Sequence, residues 1–415
     1  MLLAEMLGYA DIAQLMRIAE MYRLECDGHS KHELMQTILA AALEKNRFEA
    51  LLDGLSLEDE RFLHSLLFDD RDAFSLEELL ARVRSSRFDA EAKPGSPEEV
   101  AAVRLEFDPV VPSPERRTKR KRKSAAPKDE PAQGGGSSAS GLRETISRFK
   151  QYGWLFNGTN GTNRYLFRVP EDLKERFRDV LAERLARRLV YAGEPLAYRD
   201  EQELMADDVL VLLDYAARHV VPLTQDGVMY KRNLLQLLEA LAVREEPPAR
   251  GSWRFGYGRR FKDYPDRLAL LYDYCHYKGY LSEKDGQLRL TEAGASRLAS
   301  RAIEEPEELY RFWVRLYRAA IPNLPAIVRL IERLADRWVT ADSLRGALQP
   351  FVRPFYYDDP ASVLDKRIFA MMVHLGLLRV GEDENGRTVL RLTRAGKQAI
   401  GGSGTRDFEP ILSGR

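Results

Sequence analysis

The chain has 415 residues, with 64 basic and 64 acidic side chains, 44% apolar residues and two cysteines. That length predicts two to four domains; no apolar run approaches the ~20 residues of a membrane span, and no basic region leads into a signal-peptide core, so a soluble, cytoplasmic chain without a membrane partner is expected. Cys26 and Cys275 alone exclude a disulfide framework.

The balanced total conceals an uneven distribution. Residues 1–108 carry 12 basic and 23 acidic side chains, residues 109–150 carry 11 and 4, and residues 151–415 carry 41 and 37. A polyanion would therefore be met by the middle of the chain. The first 48 residues read as a small helical unit: Asp11–Ala19 followed by Leu24, then Ser30–Leu39, with Ser30 and Glu33 as a capping box. A Leu/Ala helix, a loop and a Ser-Lys-x-Glu-Leu helix resemble the SAP and Rho N-terminal helical motif. That resemblance implies nucleic-acid contact; the competing reading is a packing module, since Arg17, Arg23 and Lys31 are offset by Glu20, Glu25, Asp27 and Glu33. Cys26, His29 and His32 have metal-like spacing, but a structural zinc needs four ligands and no second pair follows, so no metal is expected.

Residues 49–108 predict two helices, Ser56–Phe68 and Ser75–Val83, each opened by a serine cap. They read as the possible first half of a winged helix interrupted by an insertion. Residues 109–141 contain Pro109 to Pro114, the run Arg116-Arg117-Thr118-Lys119-Arg120-Lys121-Arg122-Lys123 and Gly134-Gly135-Gly136-Ser137-Ser138. This composition predicts a disordered linker. Its basic run supplies sequence-independent attraction to phosphates, or serves only as a solubilising linker or localisation signal.

Residues 142–200 open on the helix Leu142–Tyr152. Leu142, Ile146 and Phe149 recur at i, i+4 and i+7 and should face inward, leaving Arg143, Ser147, Lys150 and Gln151 on an outer stripe without acid. That is the pattern of a recognition helix. Two Asn-Gly pairs between aromatic runs predict a hairpin ending in Arg164, after which Pro170 opens a long helix to about Tyr191.

Residues 201–303 and 304–401 each end on the same phrase. Tyr277-Lys278-Gly279-Tyr280-Leu281 leads to Leu288-Arg289-Leu290-Thr291-Glu292-Ala293-Gly294, and His374-Leu375-Gly376-Leu377-Leu378 leads to Leu390-Arg391-Leu392-Thr393-Arg394-Ala395-Gly396. A helix end, a turning glycine, a hairpin and a Thr-capped helix make the second half of a winged helix. Gln151–Pro170 is a degenerate third copy. Pro222-Leu223-Thr224-Gln225-Asp226-Gly227-Val228-Met229-Tyr230-Lys231-Arg232-Asn233-Leu234 followed by these phrases resembles the helicase-associated winged-helix family, similar to the non-motor region of XPB-type helicases, over roughly residues 140–400. The resemblance implies work on DNA beside a helicase or other DNA-processing machinery. No Gly-x-x-x-x-Gly-Lys-Ser/Thr occurs, so no motor and no nucleotide cofactor are expected.

The hairpin tips Ser282–Gly286 and Gly381–Gly386 carry carboxylates that would repel phosphates. Between them in type lies a segment of interleaved cations and rings: Arg250, Trp253, Arg254, Phe255, Tyr257, Arg259, Arg260, Phe261, Lys262 and Tyr264. Either Arg254, Arg259, Arg260 and Lys262 meet phosphates while rings stack on bases, or the rings plug a core and the cations are solvated. No Gly-x-Ser-x-Gly elbow or Cys/His signature points to catalysis. The reading is a mainly α chain of tandem winged-helix domains behind a small helical domain, with a tail at 402–415. Its expected work is non-enzymatic DNA binding, the alternative being a protein-interaction scaffold.

Overall fold

The computed structural model describes residues 1–25, 30–69, 71, 73–88, 136–158, 163–249 and 257–402. These are mainly helical with three small antiparallel sheets, and no helix among them is long and apolar enough to cross a membrane. The chain divides into two compact units, Met1–Phe62 with Ala73–Pro170, and Leu63–Asp72 with Glu171–Arg415.

The first unit begins with α1 (Leu3–Tyr9), α2 (Ile12–Met21), α3 (Lys31–Leu43) and α4 (Lys45–Asp53). Asp11 caps α2 by accepting from the Gln14 N–H at 2.7 Å, and Ser30 caps α3 by accepting from Glu33 at 3.3 Å. Next come α5 (Leu57–Leu67, its last turns in the second unit), α6 (Leu76–Ser86), α7 (Gly136–Gln151), β1 (Phe156–Asn157) and β2 (Phe167–Arg168). Ser75 and Glu78 form a reciprocal capping box on α6. Phe74 exchanges backbone hydrogen bonds with Phe167, which also pairs with Asn157, so the extended pieces run Phe74, β2, β1. One aromatic core serves the whole unit: Phe62 meets Phe149 edge-on at 4.9 Å, Phe149 meets Trp154 at 5.5 Å, and Phe48 lies 6.3 Å from Trp154. The helix α7 starts at Gly136, so residues 136–141 continue it rather than ending the expected linker. Arg87 holds that region by donating to the Gly141 carbonyl and Thr145 Oγ1.

The second unit holds α8 (Glu171–Ala186), β3 (Tyr198–Arg199), α9 (Leu204–Arg218), β4 (Val221–Pro222), α10 (Lys231–Ala240), α11 (Asp266–Tyr277), β5 (Leu281–Lys284), β6 (Gln287–Leu290) and α12 (Glu292–Ser300). It continues through α13 (Pro306–Tyr317), α14 (Leu324–Leu334), β7 (Val339–Thr340), α15 (Ala341–Leu348), α16 (Pro360–Ser362), a π-helical stretch (Val363–Phe369), α17 (Ala370–His374), β8 (Leu378–Glu382), β9 (Thr388–Leu392) and α18 (Arg394–Gly402). Its sheets run β4-β6-β5 and β3-β8-β9-β7. The long helix α8 falls in this unit. Arg333 of α14 pairs with its Glu175 at 3.2 Å, and its Arg178 donates to the Leu67 carbonyl at 2.8 Å.

The same chain reversal occurs three times. Gly153, Gly279 and Gly376 adopt φ of 68°, 70° and 68°, and after each the next residue's N–H reaches back five positions: Trp154 to Phe149, Tyr280 to Cys275, Leu377 to Met372. This is a Schellman closure, which needs the left-handed conformation glycine adopts without strain. The Thr-x-x-Gly phrases have a matching cause. Thr291 Oγ1 donates to the Gly279 carbonyl and accepts from the Gly294 N–H, as Thr393 Oγ1 does with Gly376 and Gly396. A Cβ on Gly294 would stand 2.3 Å from the Tyr280 oxygen, and one on Gly396 2.4 Å from the Leu377 oxygen. Gly396→Ala should therefore cost roughly 1–3 kcal/mol through overpacking, read as a lower midpoint in chemical denaturation; an unchanged midpoint would mean that the Leu377 backbone can retreat.

Candidate nucleic-acid interface

The helix α7 presents the stripe expected of it, with two differences. Leu142, Ile146 and Phe149 are buried, while Arg143 and Ser147 are exposed and Lys150 and Gln151 half-exposed. Phe149, fully enclosed, fixes the helix's rotation, so the outer side chains are placed by the core beneath them. Arg148, which the expected stripe did not include, binds Asp59 at 2.6 Å. Glu144 is exposed beside Arg143, so the outer surface is not acid-free. The hairpin that follows is closed by the Gly158 N–H to the Leu166 carbonyl at 2.8 Å and by Asn157 Nδ2 to the Arg164 carbonyl at 3.3 Å. Arg164 is exposed, and the neighbouring Tyr165 ring is 81% exposed. Lys150 lies 5.7 Å from the Phe167 ring, which joins stripe to hairpin.

The corresponding helices of the second unit cannot offer such a stripe. In α11 every residue from Arg267 to Cys275 is buried. In the stretch leading to α17, Val363, Leu364, Arg367, Ile368, Phe369, Met371, Met372 and Val373 are buried. Enclosed from Arg267 to Cys275, α11 has no face for a groove, and the stretch leading to α17 exposes only Lys366. Of the hairpin acids, Asp285, Glu382 and Glu384 are exposed as expected, but two others are paired within the fold. Glu283 turns inward to Arg260 at 2.8 Å and to the Tyr272 hydroxyl at 3.0 Å, and burial of Glu283 is outweighed by Arg260, which holds its carboxyl below the usual range. Asp383 is tied to Arg387 at 2.7 Å.

This pairing corrects the reading of Arg260. Its guanidinium donates to the Asp226 carbonyl at 2.6 Å as well as to Glu283, and it lies so close to Gly227 that a Cβ there would meet Nη2 at 2.2 Å. The glycine of the Leu-Thr-Gln-Asp-Gly element is thus explained by an arginine filling the space of its missing side chain. Tyr257 and Tyr264 are core residues, whereas Arg259 and Lys262 are exposed. Arg254, with Arg116, Arg117, Lys119, Arg120 and Lys121, lies outside the described residues, as do Cys26 and His29. Among the described residues no group of three or more His, Cys, Asp or Glu side chains could hold a metal.

Charge is also buried in the second unit, but as internal structure. Arg267, fully enclosed, pairs with Asp208 at 2.5 Å and with Glu201 at 3.4 Å. His374 reaches Glu201 at 3.0 Å, and Glu245 accepts from the backbone N–H groups of Arg267 and Leu268, capping α11 from a distant loop. Burial raises the carboxyls of Asp208 and Glu245, Arg267 opposing it at Asp208 and the backbone hydrogen bonds opposing it at Glu245. These groups join elements of the two hairpin modules within the unit and present nothing to a ligand.

No family model matches the chain, and no curated protein and no solved structure matches it.

Proposed function

We propose that this chain binds DNA without catalysing a reaction on it, through α7 and its hairpin. Each set of helices and hairpin is read as a winged helix, and the three as versions of one unit. Support for the winged-helix reading is the recurring order in which the first extended piece pairs with the last, as in Phe74-β2-β1 and β4-β6-β5. The observation that carries the functional reading is the exposed pair Arg143 and Ser147 on a helix anchored by Phe149, where α11 is enclosed and the stretch leading to α17 exposes only Lys366. Side chains of that type contact bases and phosphates in a major groove. The likeness to helicase-associated winged helices, together with the lack of a phosphate-cradling loop, fits an accessory factor that works beside a helicase or other DNA-processing machinery.

The test is fluorescence anisotropy of the full chain with short duplex and single-stranded DNA at two salt concentrations. Binding should weaken steeply with salt, and Arg143→Ala should lower affinity by roughly 1–3 kcal/mol if it reads a base, or remove about one phosphate from the salt slope if it does not. Absence of binding at low salt would leave the second reading, a protein-interaction scaffold. The enclosed α11 and the exposed hairpin acids Asp285, Glu382 and Glu384 of the second unit favour that role for its surface, and a stoichiometric protein partner free of nucleic acid would be its signature.

A further inference from the structure

We infer that Tyr165 is a base-stacking residue and that the preferred ligand is DNA in which a duplex meets unpaired bases, α7 lying on the duplex and the Tyr165 ring on an unpaired base. This rests on the reading of the first unit as DNA-binding.

An exposed ring needs no explanation by itself. The other rings from Phe149 to Phe167, however, are all used in packing: Phe149 is fully enclosed, Trp154 is 1% exposed, Phe156 3% and Phe167 9%, and Tyr152 stacks on Trp154 at 4.5 Å. Tyr165 stands out at 81% exposed, with no partner for its ring or hydroxyl among the described residues. Its backbone is fixed on both sides. The peptide before it is held by Asn157 Nδ2, which donates to the Arg164 carbonyl at 3.3 Å. The peptide after it is held by its N–H, that of Leu166, which donates to the Asn163 carbonyl at 2.9 Å, and the Leu166 carbonyl accepts from the Gly158 N–H at 2.8 Å. A tyrosine on a bonded turn has only two side-chain torsions to lose, so it offers a flat apolar face at little entropic cost.

The surroundings of the ring point to its ligand. Arg164, the preceding residue, is exposed and has no carboxylate partner among the described residues, and no acid occurs between Gln151 and Pro170. A ring beside a guanidinium on an acid-free hairpin supplies the two things a nucleotide takes, a stacking surface and a cation for its phosphate. In an intact duplex each base is covered on both faces by its neighbours, and a face is freed only by unstacking. The α7 stripe requires the opposite, a groove between paired strands. Helix and hairpin are one packed piece, since Phe149 of α7 meets Trp154 at 5.5 Å and Lys150 lies 5.7 Å from the Phe167 ring. A ligand that serves both at once is a duplex with an unpaired end.

The experiment is a set of anisotropy titrations of the full chain. The probes are a blunt duplex of about 20 bp, the same duplex carrying a single-stranded tail of about ten nucleotides in either polarity, and a single strand of equal length. The wild-type chain should bind one tailed duplex about tenfold more tightly than the blunt duplex or the single strand. Tyr165→Ala should remove that preference and leave blunt-duplex binding unchanged, whereas Tyr165→Trp should keep it, because the ring and not the hydroxyl is used. A 2-aminopurine at the first unpaired position should be quenched on binding wild type and not on binding Tyr165→Ala. Equal affinities of wild type and Tyr165→Ala for every probe, beside weakened binding by Arg143→Ala, would overturn the stacking role and leave the DNA-binding reading standing. Single strands bound as tightly as the tailed duplex would overturn the junction preference, and a wild-type chain that binds none of the probes at low salt would overturn both readings. Thermal melting of Tyr165→Ala should match wild type, since the side chain lies outside the core.

Discussion

Replacing Arg267 by methionine should destabilise the second unit by roughly 3–5 kcal/mol. The side chain is fully enclosed between Asp208 at 2.5 Å and Glu201 at 3.4 Å. Methionine fills much of the volume but leaves the buried Asp208 carboxylate without a cation, whereas Glu201 keeps His374 and Arg199. An unpaired buried charge costs far more than a well-paired one contributes. Denaturation followed by circular dichroism would show the loss as an earlier transition. Adding Asp208→Asn to Arg267→Met should recover part of it, since one orphaned charge is then removed. A loss below about 1 kcal/mol would mean that water reaches the carboxylates and the network is not sealed.

The second large effect depends on pH. Burial pushes the Asp273 carboxyl up to about 7, against the pull of the Arg259 N–H and the Arg259 and Arg260 charges. Its Oδ2 accepts from the Arg259 N–H at 2.9 Å and is so close to Gly258, φ 123°, that a Cβ there would meet it at 2.1 Å. The folded chain therefore holds a proton that the unfolded chain, with the ordinary carboxyl value of 3.8, releases. Stability from this group is complete below about pH 4 and is lost as pH rises towards about 7. At ~1.36 kcal/mol per unit, the loss is roughly 4 kcal/mol once the carboxyl is ionised. Asp273→Asn keeps the acceptor and cannot ionise. It should be more stable than wild type at pH 8 and little changed at pH 4, flattening the denaturation midpoint against pH. An unchanged profile would show that Asp273 ionises at an ordinary pH and is hydrated.

Much of the local structure was legible in the chain. The serine caps at Ser30 and Ser75, the inward triad Leu142, Ile146 and Phe149, and the reversals at Gly153, Gly279 and Gly376 depend on partners within five residues or on a single helical face, and the Thr-x-x-Gly closures on the same hairpin's start, 12 and 17 residues away. Even the degenerate copy at Gln151–Pro170 keeps the glycine turn, since that bond pattern needs only one residue of special conformation. The Thr-capped glycines Gly294 and Gly396 were visible as a phrase, and the clash that forbids a side chain there supplies its cause.

What the sequence by itself determined is therefore the set of helices, their caps and the glycine-turned hairpins, because each is decided by hydrogen bonds and periodicity along a short stretch of chain. The tertiary structure alone decided that α11 is enclosed where α7 keeps an outer face, and that Arg260 belongs to Glu283 and Gly227 rather than to a ligand. Those outcomes turn on residues tens to more than a hundred positions apart, and the charge of a side chain does not say whether an acid, another cation or water will be packed against it.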